Sequence, residues 1–156
     1  MTLFGEKRET NFKSTQKMIE SVIRDLGLDP DGSRLETSED GRLAWGVRCG
    51  SAAVYVFLQE GDKENFIEVL SPVMKIPEQN ILPLYRRLLE LNAEELTGAA
   101  FGVKGEDVVL MTDRSTTDLD RTEVQSMITL MGEYADRYDD ELVGEFGGLR
   151  HSDAGS

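Results

Sequence analysis

Residues 43–70 constrain the fold more than any other part of the chain, because they contain a predicted strand that is apolar on both faces. Side chains alternate between the two faces of a strand, so a strand with one exposed face should alternate apolar and polar residues. Residues 52–58 read Ala-Ala-Val-Tyr-Val-Phe-Leu and do not alternate. Both faces of this strand therefore need cover, and we expect the chain's own helices to cover only one of them.

A tight turn fixes how this strand pairs with the strand before it. Residues 42–49 alternate cleanly, and Gly50-Ser51 is a two-residue hairpin turn of the Gly-X kind. The resulting register groups eight side chains on one face of the hairpin. We predict that this face packs on the core, and its residues are Leu43, Trp45, Val47, Cys49, Ala52, Val54, Val56 and Leu58.

The opposite face of the hairpin is the first candidate binding surface. Tyr55 and Phe57 stand there beside two very small residues, and the mismatch in size leaves hollows between the rings. The small residues are Gly46 and Ala44. If a loop of four residues leads to the next strand, Phe66 joins the same face, and we expect that strand to end at a proline, Pro72.

Three helices are predicted from apolar residues spaced three and four apart. The first starts at Thr10 and closes at Gly27, the second follows an N-cap at Asn80, and the third starts near Asp120 and runs to about Phe146. Asp120 has the capping-box spacing to a glutamate three residues later.

The second helix carries a wide apolar arc. In addition to its core stripe it has Leu82 and Leu89, which indicates burial on more than one side. These two leucines are the second candidate binding surface.

The element order is α-β-β-β-α-β-β-α, with a last hairpin around residues 104–106. Hairpin strands interrupted by helices predict an α+β fold with one five-stranded antiparallel sheet. We expect a flexible N-terminus over residues 1–9, a single domain over 10–146 and a disordered tail over 147–156.

Charge and composition exclude several classes of protein. The net charge of −13 opposes binding to nucleic acid or to an anionic membrane surface, and suits solubility or a basic partner. The N-terminus has no apolar stretch typical of a signal peptide, and the longest apolar run is far too short to span a bilayer. A single cysteine fits a reducing compartment. We expect a soluble cytoplasmic protein.

The chain offers little for chemistry, so we predict no enzyme activity, no cofactor and no metal site. His151 is the only histidine and has no partner for a nucleophilic or zinc site. Cys49 falls on the predicted core face, where a buried inert thiol is expected. Asp136 and Asp140 lie one helical turn apart and form a solvated acidic face, or else a weak cation site.

The order of several short motifs resembles the YbjN family, which is similar in fold to the class I chaperones of type III secretion. The likeness covers roughly residues 10–146. It is carried by Trp45-Gly46-Val47, Gly50-Ser51-Ala52, residues 66–73, Leu88-Leu89-Glu90-Leu91-Asn92, Gly98-Ala99-Ala100-Phe101-Gly102-Val103 and Leu119-Asp120. The resemblance implies a type III secretion chaperone-like fold and a homodimer that holds segments of other proteins on apolar patches without ATP.

The leading hypothesis is therefore a non-enzymatic dimeric module that binds a protein or peptide, in a chaperone-like or regulatory role. The predicted partner-binding or dimer residues are Tyr55, Phe57, Phe66, Leu82 and Leu89. The alternative is a small-molecule-sensing regulatory domain that uses the hollows beside Ala44 and Gly46 as a pocket. The sequence alone names neither the partner nor the surface that forms the dimer.

Overall fold

The structure, a computed structural model, describes residues 3–154, which form four α-helices, six strands and a short 3-10 helix. In chain order these are α1 (Leu3–Asp25), α2 (Pro30–Ser33), β1 (Arg34–Leu35), β2 (Arg42–Cys49), β3 (Ala52–Gln59), β4 (Phe66–Lys75), α3 (Ile81–Glu94), β5 (Ala100–Lys104), β6 (Asp107–Ser115), α4 (Arg121–Phe146) and the 3-10 helix His151–Asp153.

The sheet has six strands in the order β1-β2-β3-β4-β6-β5. The α+β class and the antiparallel pairing are as predicted, but the predicted number of five strands was wrong. The additional strand, β1, contains only Arg34 and Leu35, which pair with Trp45 and Ala44 of β2. Two residues are too few to show the alternation from which a strand is recognised.

Contacts divide the chain into two compact units, where the sequence predicts one domain over residues 10–146. Each unit is assembled from three chain segments. Unit 1 comprises Met1–Val47, Tyr55–Val69 and Asp113–Ile128, and unit 2 comprises Arg48–Val54, Leu70–Thr112 and Thr129–Ser156.

Each unit has its own set of buried apolar side chains. The fully buried residues of unit 1 come from α1, β2, β3, β4 and α4 and include Ile19, Val22, Ile23, Trp45, Val56, Leu58, Ile67, Val69, Val124 and Ile128. Those of unit 2 come from β3, β4, α3, β6 and α4 and include Val54, Met74, Leu84, Leu91, Val108, Leu110, Met131 and Leu142.

Burial along β3 alternates strictly, so the predicted core face of this strand is confirmed. In β2, Trp45 and Val47 are buried as predicted, whereas Leu43 and Cys49 are only partly buried. Gly50 adopts a φ of +63°, the left-handed conformation that a Gly-X hairpin turn requires.

Strand β4 differs from the prediction at both ends. Six residues, not four, connect it to β3, and it continues through Pro72 as far as Lys75. A proline removes one backbone donor, which weakens a strand locally without ending it. Phe66 nevertheless falls on the predicted face, because Ile67 and Val69 are the residues that are buried.

The two ends of the chain are also more regular than predicted. Helix α1 begins at Leu3 instead of Thr10. The tail from residue 147, predicted to be disordered, is held by hydrogen bonds. The backbone N–H of Lys75 donates to the carbonyl of Leu149 at 2.8 Å, and Arg150 binds the carboxylates of Asp140 and Asp153. Residues 1, 2, 155 and 156 of the predicted flexible ends lie outside the described residues.

Helix α4 starts with the capping box that the sequence predicts. The backbone N–H of Asp120 donates to Glu123 Oε2 at 2.9 Å, and the N–H of Glu123 donates to Asp120 Oδ1 at 2.8 Å. Asn80 precedes α3 as expected, but its φ is +62° and its side chain makes no capping hydrogen bond.

Candidate functional site

The five predicted site residues fall on two surfaces. Tyr55, Phe57 and Phe66 belong to unit 1 and are named here the aromatic face. Leu82 and Leu89 belong to unit 2 and lie on α3. The partner-binding role of all five residues stays a prediction.

Tyr55 is half-buried because β1 lies beside it. Gly46 separates the two, since a Cβ at position 46 would lie 3.3 Å from Leu35 Cδ1 and 3.4 Å from Tyr55 Cε1. Ala44, the pairing partner of Leu35, is 1% exposed. The predicted hollow beside Gly46 is therefore filled by the chain's own Leu35, whereas Ala44 still lines part of a groove next to Phe57.

Phe57 is covered on one side by a cation. The Arg42 guanidinium carbon lies 4.2 Å from the Phe57 ring centroid, a cation–π contact. Arg42 also donates from Nη1 to Glu39 Oε2 at 3.1 Å, and its carbonyl accepts a hydrogen bond from the hydroxyl of Thr37. A shallow groove of about 270 Å³ remains, lined by Leu35, Glu36, Thr37, Ser38, Glu39, Arg42, Ala44 and Phe57.

Phe66, at the start of β4, is 40% exposed. The preceding loop packs on its ring, because a Cβ at Gly61 would lie 3.0 Å from Phe66 Cε2. Arg8 of α1 holds this loop by donating from Nη1 to the carbonyls of Gly61 and Asp62, both at 2.9 Å. The loop conformation limits the part of the Phe66 ring that a partner could reach.

The loop is further anchored by a buried polar side chain, that of Asn65. Its amide donates to the carbonyl of Arg8 at 2.9 Å and to Asn11 Oδ1 at 3.0 Å. Thr116 donates to the same Asn11 oxygen, and its N–H binds the Asn65 carbonyl at 3.0 Å. These bonds connect α1, the loop before β4 and the end of β6 within unit 1.

Helix α3 buries one face and exposes another. Leu84, Leu88 and Leu91 are buried, whereas Leu82 is 79% and Leu89 is 68% exposed. The exposed residues repeat at intervals of four, three and four, and form the α3 stripe of Leu82, Arg86, Leu89 and Ala93. The sequence predicted Leu82 and Leu89 outside the core stripe of α3 and buried on a second side, but within the chain both are open to solvent.

Arg86, at the middle of the α3 stripe, is paired along the helix. Its Nε lies 2.9 Å from Glu90 Oε1, one turn away. Such an exposed pair contributes little to stability, but it offsets the cation at the centre of an apolar surface.

The remaining candidate groups show no catalytic arrangement. Burial raises the pKa of the Cys49 thiol, and the nearby Asp136 carboxylate raises it further, which favours the thiol over the nucleophilic thiolate. Asp136 accepts a hydrogen bond from Ser51, and Asp140 is paired with Arg150. Within residues 3–154 no cluster of three or more His, Cys, Asp or Glu side chains is placed to hold a metal ion.

None of the helices between residues 3 and 154 combines the length and the apolar character that crossing a bilayer requires.

The family model for YbjN, described as "Putative bacterial sensory transduction regulator", matches residues 15–143. The chain belongs to the YbjN family. No curated protein sequence matches it.

Solved structures with the same fold include secretion chaperones. The ExsC-ExsE complex aligns with a TM-score of 0.61 at 14% identity, over 91% of this chain and 97% of the other. The HopA1-SchA chaperone-effector complex gives a TM-score of 0.56 at 12% identity, over 85% and 97%. The type III secretion chaperone SycH of Yersinia pestis, in complex with a YscM2 fragment, gives 0.50 at 19% identity, over 78% and 97%. At these identities the likeness establishes a shared fold.

Proposed function

We propose that this YbjN-family chain is a non-enzymatic homodimer that binds extended segments of partner proteins. The observation that carries the proposal is the pair of exposed leucines on α3, since apolar side chains on one helix face at this exposure mark an interaction surface. The HopA1-SchA chaperone-effector complex and the SycH chaperone in complex with a YscM2 fragment have the same fold, which supports a protein partner.

The α3 stripe suits a symmetric contact. Leu82 and Leu89 are seven residues apart, about two helical turns or roughly 10 Å along the axis. A two-fold axis close to Arg86 would place each Leu82 against the Leu89 of a second copy, which is an isologous interface. Arg86 would lie near the axis at the centre of that contact, where its pairing with Glu90 compensates its charge.

The aromatic face suits a partner segment. Tyr55, Phe57 and Phe66 present ring surface that is only partly covered, and aromatic side chains contribute strongly to protein interfaces. An extended segment could lie over these rings. This role would be chaperone-like or regulatory, and it needs neither ATP nor a catalytic group.

Light scattering tests the dimer, and a matched pair of variants tests partner binding. We expect a mass twice the chain's 17.4 kDa at micromolar concentration. Immobilised Phe57→Leu should capture the same proteins from the native cell extract as the wild type, whereas Phe57→Asp should lose them while keeping its circular dichroism spectrum.

A stable monomer would contradict the dimer, and equal capture by both variants would contradict a role for the aromatic face. A thermal-shift screen against metabolites separates the alternative sensor function, because ligand binding to the folded state raises the unfolding temperature.

A further inference from the structure

We propose that β1 is a displaceable strap, and that the partner segment replacing it carries a cation followed by an aliphatic side chain. The strap is defined as residues 34–41. The inference rests on the proposed function, because it describes how a partner reaches the aromatic face.

The strap is held by little backbone pairing. Only Arg34 and Leu35 pair with β2, and both are exposed. Further along the strap, the Thr37 hydroxyl donates to the carbonyl of Arg42 at 3.0 Å and the Gly41 carbonyl accepts the backbone N–H of Glu60 at 2.9 Å. In the described chain β1 is the last strand at this edge, and β2 continues past it through Gly46 and Val47. A two-residue edge strand with solvent-exposed side chains belongs to the parts of a fold that open most easily.

The strap's side chains show what chemistry the site accepts. The Arg34 guanidinium carbon lies 5.1 Å from the Trp45 ring centroid, and Leu35 pairs with Ala44 and fills the space beside Gly46. Consecutive residues of an extended strand point to opposite faces, so a cation followed by an aliphatic residue satisfies both contacts at once. The net charge of −13 favours a basic segment over a neutral one.

A partner segment has an advantage over the strap. A longer strand would repeat the two contacts of Arg34 and Leu35 and also pair with Gly46 and Val47, which extends the ladder by β-augmentation. The apparent affinity equals the affinity of the open form multiplied by the fraction of molecules in which the strap is open. Locking the strap should therefore weaken binding, and loosening it should strengthen binding.

A reversible cross-link tests this inference. Leu35 and Ala44 are directly paired across β1 and β2, so Leu35→Cys with Ala44→Cys brings two thiols to disulfide distance, with Cys49→Ser to remove the native thiol. The probe is a fluorescein-labelled peptide of residues 31–38 carrying Glu36→Lys. A control peptide also carries Arg34→Glu and Leu35→Ser.

We expect anisotropy to show at least tenfold tighter binding of the probe by the reduced protein than by the oxidised protein, and no binding of the control peptide. The single variant Leu35→Ser removes an aliphatic side chain that holds the strap and is 41% exposed. This variant should bind the probe several-fold more tightly than the wild type. Emission from Trp45, the only tryptophan, checks that both redox forms are folded.

Equal binding by the oxidised and reduced forms would overturn the strap, and so would failure of both the reduced form and Leu35→Ser to bind the probe. Either result is compatible with the proposed function if the capture of partner proteins still depends on Phe57. A wild-type protein that neither captures partner proteins nor dimerises would instead contradict the proposed function itself.

Discussion

Replacing Leu89 with alanine should dissociate the proposed homodimer and leave the protomer folded. Leu89 is 68% exposed in the chain, so its loss removes little from the protomer's own core. Fully burying a leucine contributes about 1.5–3 kcal/mol, and the exposed two-thirds correspond to about 1–2 kcal/mol. A symmetric dimer contains two copies, and alanine retains part of the contact, so we expect a loss of about 2–3 kcal/mol, or roughly a 30- to 150-fold increase in Kd.

Sedimentation velocity over a concentration series measures this change. Leu149→Ala is the matched control, because Leu149 is also an exposed leucine of unit 2 and lies outside the α3 stripe. The control should keep the wild-type Kd, and both variants should keep the wild-type circular dichroism spectrum, which shows that the protomer is folded. An unchanged Kd for Leu89→Ala, or an equal effect of Leu149→Ala, would refute the assignment of the dimer to the stripe.

Three further outcomes follow from the contacts within each unit. Gly132→Ala should lower the free energy of unfolding in urea by about 1–3 kcal/mol, because the new Cβ would lie 2.6 Å from Cys49 Cβ. The control Gly144→Ala, on the same helix, meets nothing within 4 Å and should be neutral or stabilising. Similar values for the two variants would contradict the tight contact at Gly132. Asp120→Ala removes half of the capping box and should cost about 1 kcal/mol by the same measurement, and no loss would show that the cap contributes nothing. Burial raises the pKa of Asp139 above its ordinary value of 3.8, so the folded state holds this proton more tightly and stability falls as pH rises from the ordinary pKa through the raised one. Asp139→Asn should therefore unfold at a higher urea concentration than the wild type at pH 7, and at the same concentration below the ordinary pKa. A difference between the two proteins that does not change with pH would contradict burial as the cause.

The elements that could be predicted from sequence are those specified by neighbouring residues. The hairpin turn at Gly50 needs one residue with positive φ, and the alternation in β3 shows which side chains pack on the core. The start of α4 follows from the reciprocal bonds of Asp120 and Glu123. Each of these features depends on a stretch of at most eight residues, so its pattern is visible without the rest of the chain.

The features that could not be predicted depend on residues far apart in the chain. Leu35 has no alternating neighbours, and its role becomes visible only when Ala44 and Gly46 provide a space of matching size. Strand β4 continues past Pro72 to Lys75, whose backbone N–H donates to the carbonyl of Leu149, a residue far along the chain. The sequence predicted Tyr55 on the non-core face, but it did not show that Leu35, twenty residues earlier in the chain, lies beside it.

The net charge separates the two proposed interactions physically. Two copies that each carry −13 repel each other, so dimerisation must rest on apolar contact through Leu82 and Leu89, and screening by salt should favour it. A basic segment is instead attracted to the same charge, and screening should weaken its binding at the aromatic face. Increasing salt is therefore expected to lower the dimer Kd and to raise the Kd of the lysine-containing probe. Parallel changes in the two constants would mean that both interactions depend on the same kind of contact, contrary to the distinct chemistry of the α3 stripe and the strap.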